Sequence, residues 1–161
     1  MKFVYVFLLI GSVQGINAGI VGDPVIQREA TDNATGLLYA YDGTFGTAGN
    51  VLSWSFYAGG TGTTRDIAGQ QITPVILDQS TPGGWTITGI GATQTVSGPG
   101  SYTFNFDLVS GSTAVGPTLT FGWYDGSATA SNQGTISFDR ATTDVGFRDL
   151  VGLAFPVLGT A

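Results

Sequence analysis

The sequence predicts an all-β fold: an antiparallel two-sheet β-sandwich of jelly-roll or immunoglobulin-like type, with an extended N-terminal arm. Three observations carry that reading. From Leu37 onward the apolar residues recur with period two over short stretches. No window long enough for a helix shows apolar residues at i, i+3 and i+4. Between the alternating stretches stand clusters of Gly, Pro and Asp, drawn from a chain with 26 glycines, and these residues supply the positive φ or fixed φ at which a ladder stops.

The elements follow in order. Residues 1–18 open with MKFVYVFLLI, one Lys and an apolar run, and continue with small residues at Gly15 and Ala18. That is the layout of a signal peptide, and the run is shorter than the ~20 residues of a spanning helix, so no permanent membrane span is expected. If retained, the segment is expected to act as a β-strand lent to a neighbour. Residues 19–36, with Pro24 and no sustained period, read as an extended arm, and residues 37–161 as the sandwich domain.

The clearest strand is Ser101 to Leu108, where Tyr102, Phe104, Phe106 and Leu108 alternate with Ser101, Thr103, Asn105 and Asp107. Val51 to Ala58 sets Leu52, Trp54 and Phe56 against Ser53, Ser55 and Tyr57. Thr118 to Tyr124 sets out Leu119, Phe121 and Trp123 in the same way, so these three segments are expected to supply the core aromatics. Shorter candidates are Leu37–Tyr41, Ile72–Leu77, Trp85–Ile90, Thr93–Ser97, Gly134–Arg140 and Val145–Phe155. Expected breaks include Gly98-Pro99-Gly100, the stretch from Gly111 to Pro117, and Asp125-Gly126.

Composition narrows the function classes. With 161 residues the chain fits one domain and can bury a core without staples. It has no His and no Cys, and Glu29 is its single Glu, so the side chains most used for general acid–base and thiol chemistry are nearly absent. A nucleophile–His triad cannot be built, a glycosidase pair would need two Asp, and no phosphate-binding glycine loop ends in Lys. An enzyme is not expected. The net charge of −6 and a pI near 4.1 argue against nucleic acid, whose phosphates need Lys and Arg.

Scattered Asp residues such as Asp42, Asp78, Asp107, Asp125 and Asp139 read as solvated turn residues. A calcium loop would show Asp at alternate positions before a Gly, and no such run exists; Asp125-Gly126-Ser127 and the Asp144/Asp149 spacing leave calcium only as an ion that loop carboxylates could meet in space. No other cofactor is expected. Asn33-Ala34-Thr35 is a glycosylation sequon. Tyr57 and Tyr124, on the sides of their strands opposite Trp54 and Trp123, are the candidate platform for a sugar ring.

The phrases VLSWSFYAG, ITPVILD, WTITGIGATQTVSGPGSYTFNFDLVSG and FGWYDG, from Asn50 to about Leu153, resemble a domain of secreted bacterial surface proteins of the PEP-CTERM type. Such domains generally carry no assigned activity, and the resemblance implies a secreted β-sandwich. The chain departs from that pattern in ending FPVLGTA, with no Pro-Glu-Pro sorting tail. In architecture it is also similar to donor-strand pilus and fibre subunits, whose N-terminal arm completes the sheet of a neighbour.

These readings converge on an extracellular structural protein, a homopolymer subunit of a surface filament, fibre or matrix, with itself as partner and glycans as possible attachments. The expected intersubunit contacts are Val21, Val25 and Ile26 in the arm, and Leu150, Val151, Leu153 and Phe155 near the C-terminus. The alternative is a secreted carbohydrate-binding module built on Tyr57 and Tyr124.

Overall fold

The computed structural model describes residues 7–11, 19–20, 25–31, 36–41, 43–61, 67–79, 84–127, 135–138, 147–150 and 158. In chain order the strands are β1 (Phe7–Gly11), β2 (Gly19–Ile20), β3 (Ala30–Thr31), β4 (Leu37–Tyr41), β5 (Gly49–Ala58), β6 (Gln70–Asp78) and β7 (Thr86–Gly91). They continue with β8 (Gln94–Thr95), β9 (Gly100–Asn105), β10 (Leu108–Gly111), β11 (Ala114–Val115), β12 (Leu119–Ser127), β13 (Ser137–Phe138) and β14 (Phe147–Leu150). Among the described residues there is no helix, and none is long and apolar enough to cross a membrane. The expected all-β, two-sheet architecture is present.

A seven-stranded antiparallel sheet runs β10-β7-β6-β12-β4-β14, with β8 beside β6. A five-stranded one runs β11-β5-β1-β2, with β9 beside β5, and β13 pairs with β3. The axis of the larger sheet is the unbroken ladder between β6 and β12, from Leu119↔Asp78 to Ser127↔Gln70. Pairing of this length forces both strands to alternate in step. Tyr39, Ile72, Ile76, Phe121 and Trp123 turn inward and meet Val51, Trp54 and Phe56 of the smaller sheet in one core. The opposite face of the larger sheet is buried as well, with Leu38, Ala40, Val75, Leu77, Ile87, Ile90 and Tyr124 packed together and Trp85 against them. Stacked rings tie the inner layer together: Tyr39 on Trp123 at 5.4 Å and Tyr41 on Phe121 at 4.8 Å between centroids.

Pro74 sits in the middle of β6, opposite Trp123. A proline cannot donate to a ladder and is ordinarily confined to edges or interruptions. Here the other flank of β6 is shared by two short partners, β8 at Gln71 and Ile72 and β7 from Val75 onward, and Pro74 falls between them. The end of β7 passes the ring closely enough that a Cβ on Gly91 would stand 2.8 Å from Pro74 Cγ. Thr73 and Thr93 hydroxyls close this break with a 2.7 Å hydrogen bond.

Three alternation rules fail, each at an identifiable irregularity. Leu52, expected in the core, is 47% exposed, because successive β1 residues Leu9 and Ile10 face Ser53 and Val51 and leave Leu52 as a bulge that restores Val51 to the inner side. Leu108, expected beside Phe106, is 43% exposed. The predicted strand Ser101–Leu108 in fact ends at Asn105. The chain then crosses from one sheet to the other, Phe106 N–H donating to the Leu52 carbonyl and Ala92 N–H to that of Asp107, before β10 begins in the larger sheet. Asp125-Gly126, expected as a turn, lies within β12, which continues to Ser127.

Within the stretch expected as an arm, residues 25–31 are described. Arg28, Ala30 and Thr31 are buried against the sandwich. Thr61 N–H donates to the Arg28 carbonyl at 2.7 Å, and Gly60 lies so close to the Ala30 backbone that a Cβ there would sit 2.8 Å from its carbonyl carbon. Of the short predicted strands near the C-terminus, Gly134–Arg140 contains β13 and Val145–Phe155 contains β14; apart from Thr135 and Ile136, their remaining residues, like Asn33, lie outside the described residues.

Gly122, between Ala40 and Val75 in the register, shows how tightly the larger sheet is built. A Cβ there would collide with the Tyr39 carbonyl oxygen and stand 2.8 Å from Leu77 Cδ1, whereas one on Gly116 would meet nothing within 4 Å. Gly122→Ala is therefore expected to cost roughly 2–3 kcal/mol by overpacking. Gly116→Ala should stay within about 0.5 kcal/mol of the parent. Urea unfolding of the two variants checks the pair.

Candidate functional site

Chemistry-bearing side chains are sparse and dispersed. Among the described residues no group of three or more His, Cys, Asp or Glu is placed to hold a metal ion. Asp107 is exposed on the crossover between sheets and Asp78 is half-buried at the end of β6, while Asp42, Asp139 and Asp144 lie outside the described residues.

Asp125 departs from the solvated-turn expectation: it is fully buried. Its Oδ2 accepts the Thr135 backbone N–H at 2.8 Å. The segment 135–138 straps one end of the sandwich. Gly59 N–H donates to the Thr135 carbonyl at 2.9 Å, Ile136 bridges to Ala58 and enters the main core, and Ser137 Oγ accepts the Arg28 N–H at 2.7 Å. The carboxylate therefore ties β12 to the strap and, through it, to β5 and β3. Its local sequence signal was ambiguous, since Asp-Gly is the commonest mark of a turn. Only the continuation of apolar alternation back through Phe121 and Trp123 told otherwise.

The two tyrosines do not form a platform. Tyr57 is half-buried on β5, and Tyr124 is 7% exposed on β12, packed with Leu77 and Ile87 on the outer face of the other sheet. The expectation that Tyr124 faces water fails because that face of the larger sheet is itself buried. Trp54 and Trp123, expected in the core, are there at 3% and 2% exposure. Trp54 lines a narrow crevice between the sheets with Pro74, Ile76, Phe106 and Trp123, and its buried Nε1 has no hydrogen-bond partner.

The feature that distinguishes the molecule is the edge of β5. One flank of this strand is taken by β9, from Ser53↔Asn105 to Ala58↔Gly100, and by β11 at Gly49 and Asn50. The opposite flank is covered by β1, with Phe7↔Ser55, Leu8↔Trp54, Leu9↔Ser53, Ile10↔Val51 and Gly11↔Asn50. Beyond β1, among the described residues, lies the two-residue β2. Thus Phe7–Gly11, part of the stretch read as a leader, pairs in the sheet with a strand remote from it in sequence. The signal for it was present in the all-apolar FLLIG, which serves a leader and a strand equally well.

The expected contact residues are divided. Val25 is half-buried and Ile26 is 51% exposed. The Leu150 backbone pairs with Leu38 at the edge of the larger sheet, and Val21, Val151, Leu153 and Phe155 lie outside the described residues. No protein-family model, no curated protein and no solved structure matches this chain.

Two stability outcomes follow from these contacts. Asp125→Ala leaves the Thr135 N–H without its acceptor inside the fold and is expected to cost about 1–3 kcal/mol in chemical denaturation, with Asp125→Asn, which keeps an acceptor oxygen, costing less. Trp54→Ala is expected to cost roughly 3–5 kcal/mol. Trp54→Phe should cost clearly less, since it keeps an aromatic ring and discards an unpaired donor.

Proposed function

We propose that this chain is an extracellular structural subunit, assembling with copies of itself into a filament, fibre or matrix through β-sandwich contacts and N-terminal strand addition. The observation that carries the reading is the β1–β5 ladder. One flank of β5 is filled by β1, a segment remote from it in sequence, and the backbone N–H and C=O groups along that flank must be paired by a strand, which is the chemistry of strand addition.

Two features support it. The five-stranded sheet presents β9 at its other side, with exposed Ser101, Thr103 and Asn105 and no charged residue, whereas monomeric sheets commonly guard such edges with Lys or other charges. At the outer edge of the larger sheet, β10 carries Leu108 and Val109 at 43% and 68% exposure. The Asn33 sequon would carry a glycan only if the chain meets the modifying enzymes, and secretion is part of the same proposal.

Negative-stain electron microscopy of the full chain at micromolar concentration tests the reading. Regular filaments or sheets are expected, and dispersed particles of domain size at all concentrations would overturn it.

A further inference from the structure

We propose that β9 pairs antiparallel with the β9 of a second copy, centred on Thr103, so that the five-stranded sheets of two subunits run on as one across a two-fold axis. The proposal deepens the self-assembly reading, on which it rests, by naming a contact and its register.

The backbone supplies the first argument. Among the described residues β9 has β5 as its one strand neighbour, in a ladder without irregularity from Ser53↔Asn105 to Ala58↔Gly100. One step beyond that ladder, and in the same register, the Phe106 N–H donates to the Leu52 carbonyl at 2.9 Å. In an antiparallel pair successive residues alternate between bonding to the neighbour and pointing away from it. Counting back from Phe106, the N–H and C=O groups of Phe104, Tyr102 and Gly100 face β5, and those of Ser101, Thr103 and Asn105 point outward from the edge.

The side chains supply the second. Tyr102 and Phe104 belong to the core side of the sheet, where Tyr102 stacks on Phe56 at 5.6 Å and Phe104 lies 5.7 Å from Trp54 between centroids, yet both stay half-buried. The Tyr102 hydroxyl donates to the Gly98 carbonyl at 2.7 Å and accepts the Ser97 N–H at 3.0 Å, so this ring is held at the edge. The core is thus left without cover beside β9. The usual guards of an edge are missing too, since Gly100–Asn105 contains no charge, no proline and no bulge.

The order of residues names the occupant. In either direction from Thr103 the strand reads aromatic, then polar: Tyr102 and Ser101 one way, Phe104 and Asn105 the other. Such a strand is its own antiparallel complement, as an isologous contact requires. Thr103 then faces the second copy's Thr103, and Ser101 faces its Asn105. These are the residues whose backbone groups point outward, so each pair exchanges both of its hydrogen bonds. Tyr102 falls level with the second copy's Phe104 in the closer, non-hydrogen-bonded pairs, which sets ring against ring over the uncovered core. Another extended peptide would have to reproduce this alternation, whereas a second copy carries it already.

The absence of Cys makes the contact directly readable. Thr103→Cys in the full chain is expected to give a disulfide-linked dimer on mild oxidation, because facing Cα atoms in such a pair stand about 5.5 Å apart, within disulfide reach. Ser101→Cys alone and Asn105→Cys alone should not link, since each would stand about 14 Å along the strand from its own copy, while an equal mixture of the two should. Thr103→Pro removes an N–H that points away from β5, so the subunit keeps its own ladder and the added strand loses a donor. Thr103→Lys sets two like charges on the axis. Each is expected to weaken dimerisation about tenfold or more in sedimentation, with the unfolding transition of the subunit retained.

Equal linking by all three single cysteine variants overturns the register. No linking in any format, or a dimer unmoved by Thr103→Pro and Thr103→Lys in folded protein, overturns the contact. A two-fold contact closes a pair and does not propagate by itself. Linked dimers without filaments would therefore uphold it while removing the fibre reading, and filaments without linkage at Thr103 would do the reverse.

Discussion

The ladder between β6 and β12 is the constraint on which the rest of the molecule depends. It is buried on both faces along its centre, so its apolar residues are divided between two layers. Inward, Ile72, Ile76, Phe121 and Trp123 form the floor on which the smaller sheet rests; outward, Val75, Leu77 and Tyr124 form a second layer. Burying a side chain of this size is worth about 1.5–3 kcal/mol, and the pairing makes those contributions interdependent. Thr120 and Asp125 add polar anchoring from the same strand. The Thr120 hydroxyl donates to the carbonyls of Tyr41 and Gly43, holding the end of β4, and the Asp125 carboxylate holds the strap at the opposite end.

Much of this was legible in the sequence, because period-two alternation reports directly on a strand with one dry face. Ser101, Thr103 and Asn105 are exposed and Trp54, Phe56, Phe121 and Trp123 are buried, as alternation requires. What escaped has a common cause. Alternation assumes a regular pleat and one wet face, and the protein breaks the first assumption at Leu52 and at the Phe106 crossover, and the second along the larger sheet, where Tyr124 is buried. A bulge inserts one residue and leaves no compositional trace. The covering of a second face is a property of distant chain segments, which no local window contains. The place of β1 was ambiguous for a different reason: an apolar run without polar alternation satisfies a leader and a strand with equal ease.

The candidate site is therefore an edge and not a pocket. Its groups are backbone amides and carbonyls, available on any strand, and under the proposed assembly their selectivity would come from what surrounds them: the neighbours that occupy the other flank of β5 and the bulge that sets the offset. Sequence reasoning about catalytic or ligand-binding side chains has little purchase on such a site. It became visible only when strand order was known, since the same five residues would be an ordinary hairpin partner had they paired with a neighbour in sequence.

Pro74 has a consequence for fidelity of folding. A shift of β6 by one residue along β12 would turn both apolar layers inside out and is excluded by burial. A shift by two keeps every side chain on its proper face and is the error that alternation alone tolerates. It would, however, carry the proline ring out of the gap between β7 and β8 and into one of their ladders, where its missing N–H removes a hydrogen bond. A single imino acid thus discriminates against the even-numbered misregisters, and in a chain without a disulfide to prove its pairing it acts as a proofreading mark for the central sheet.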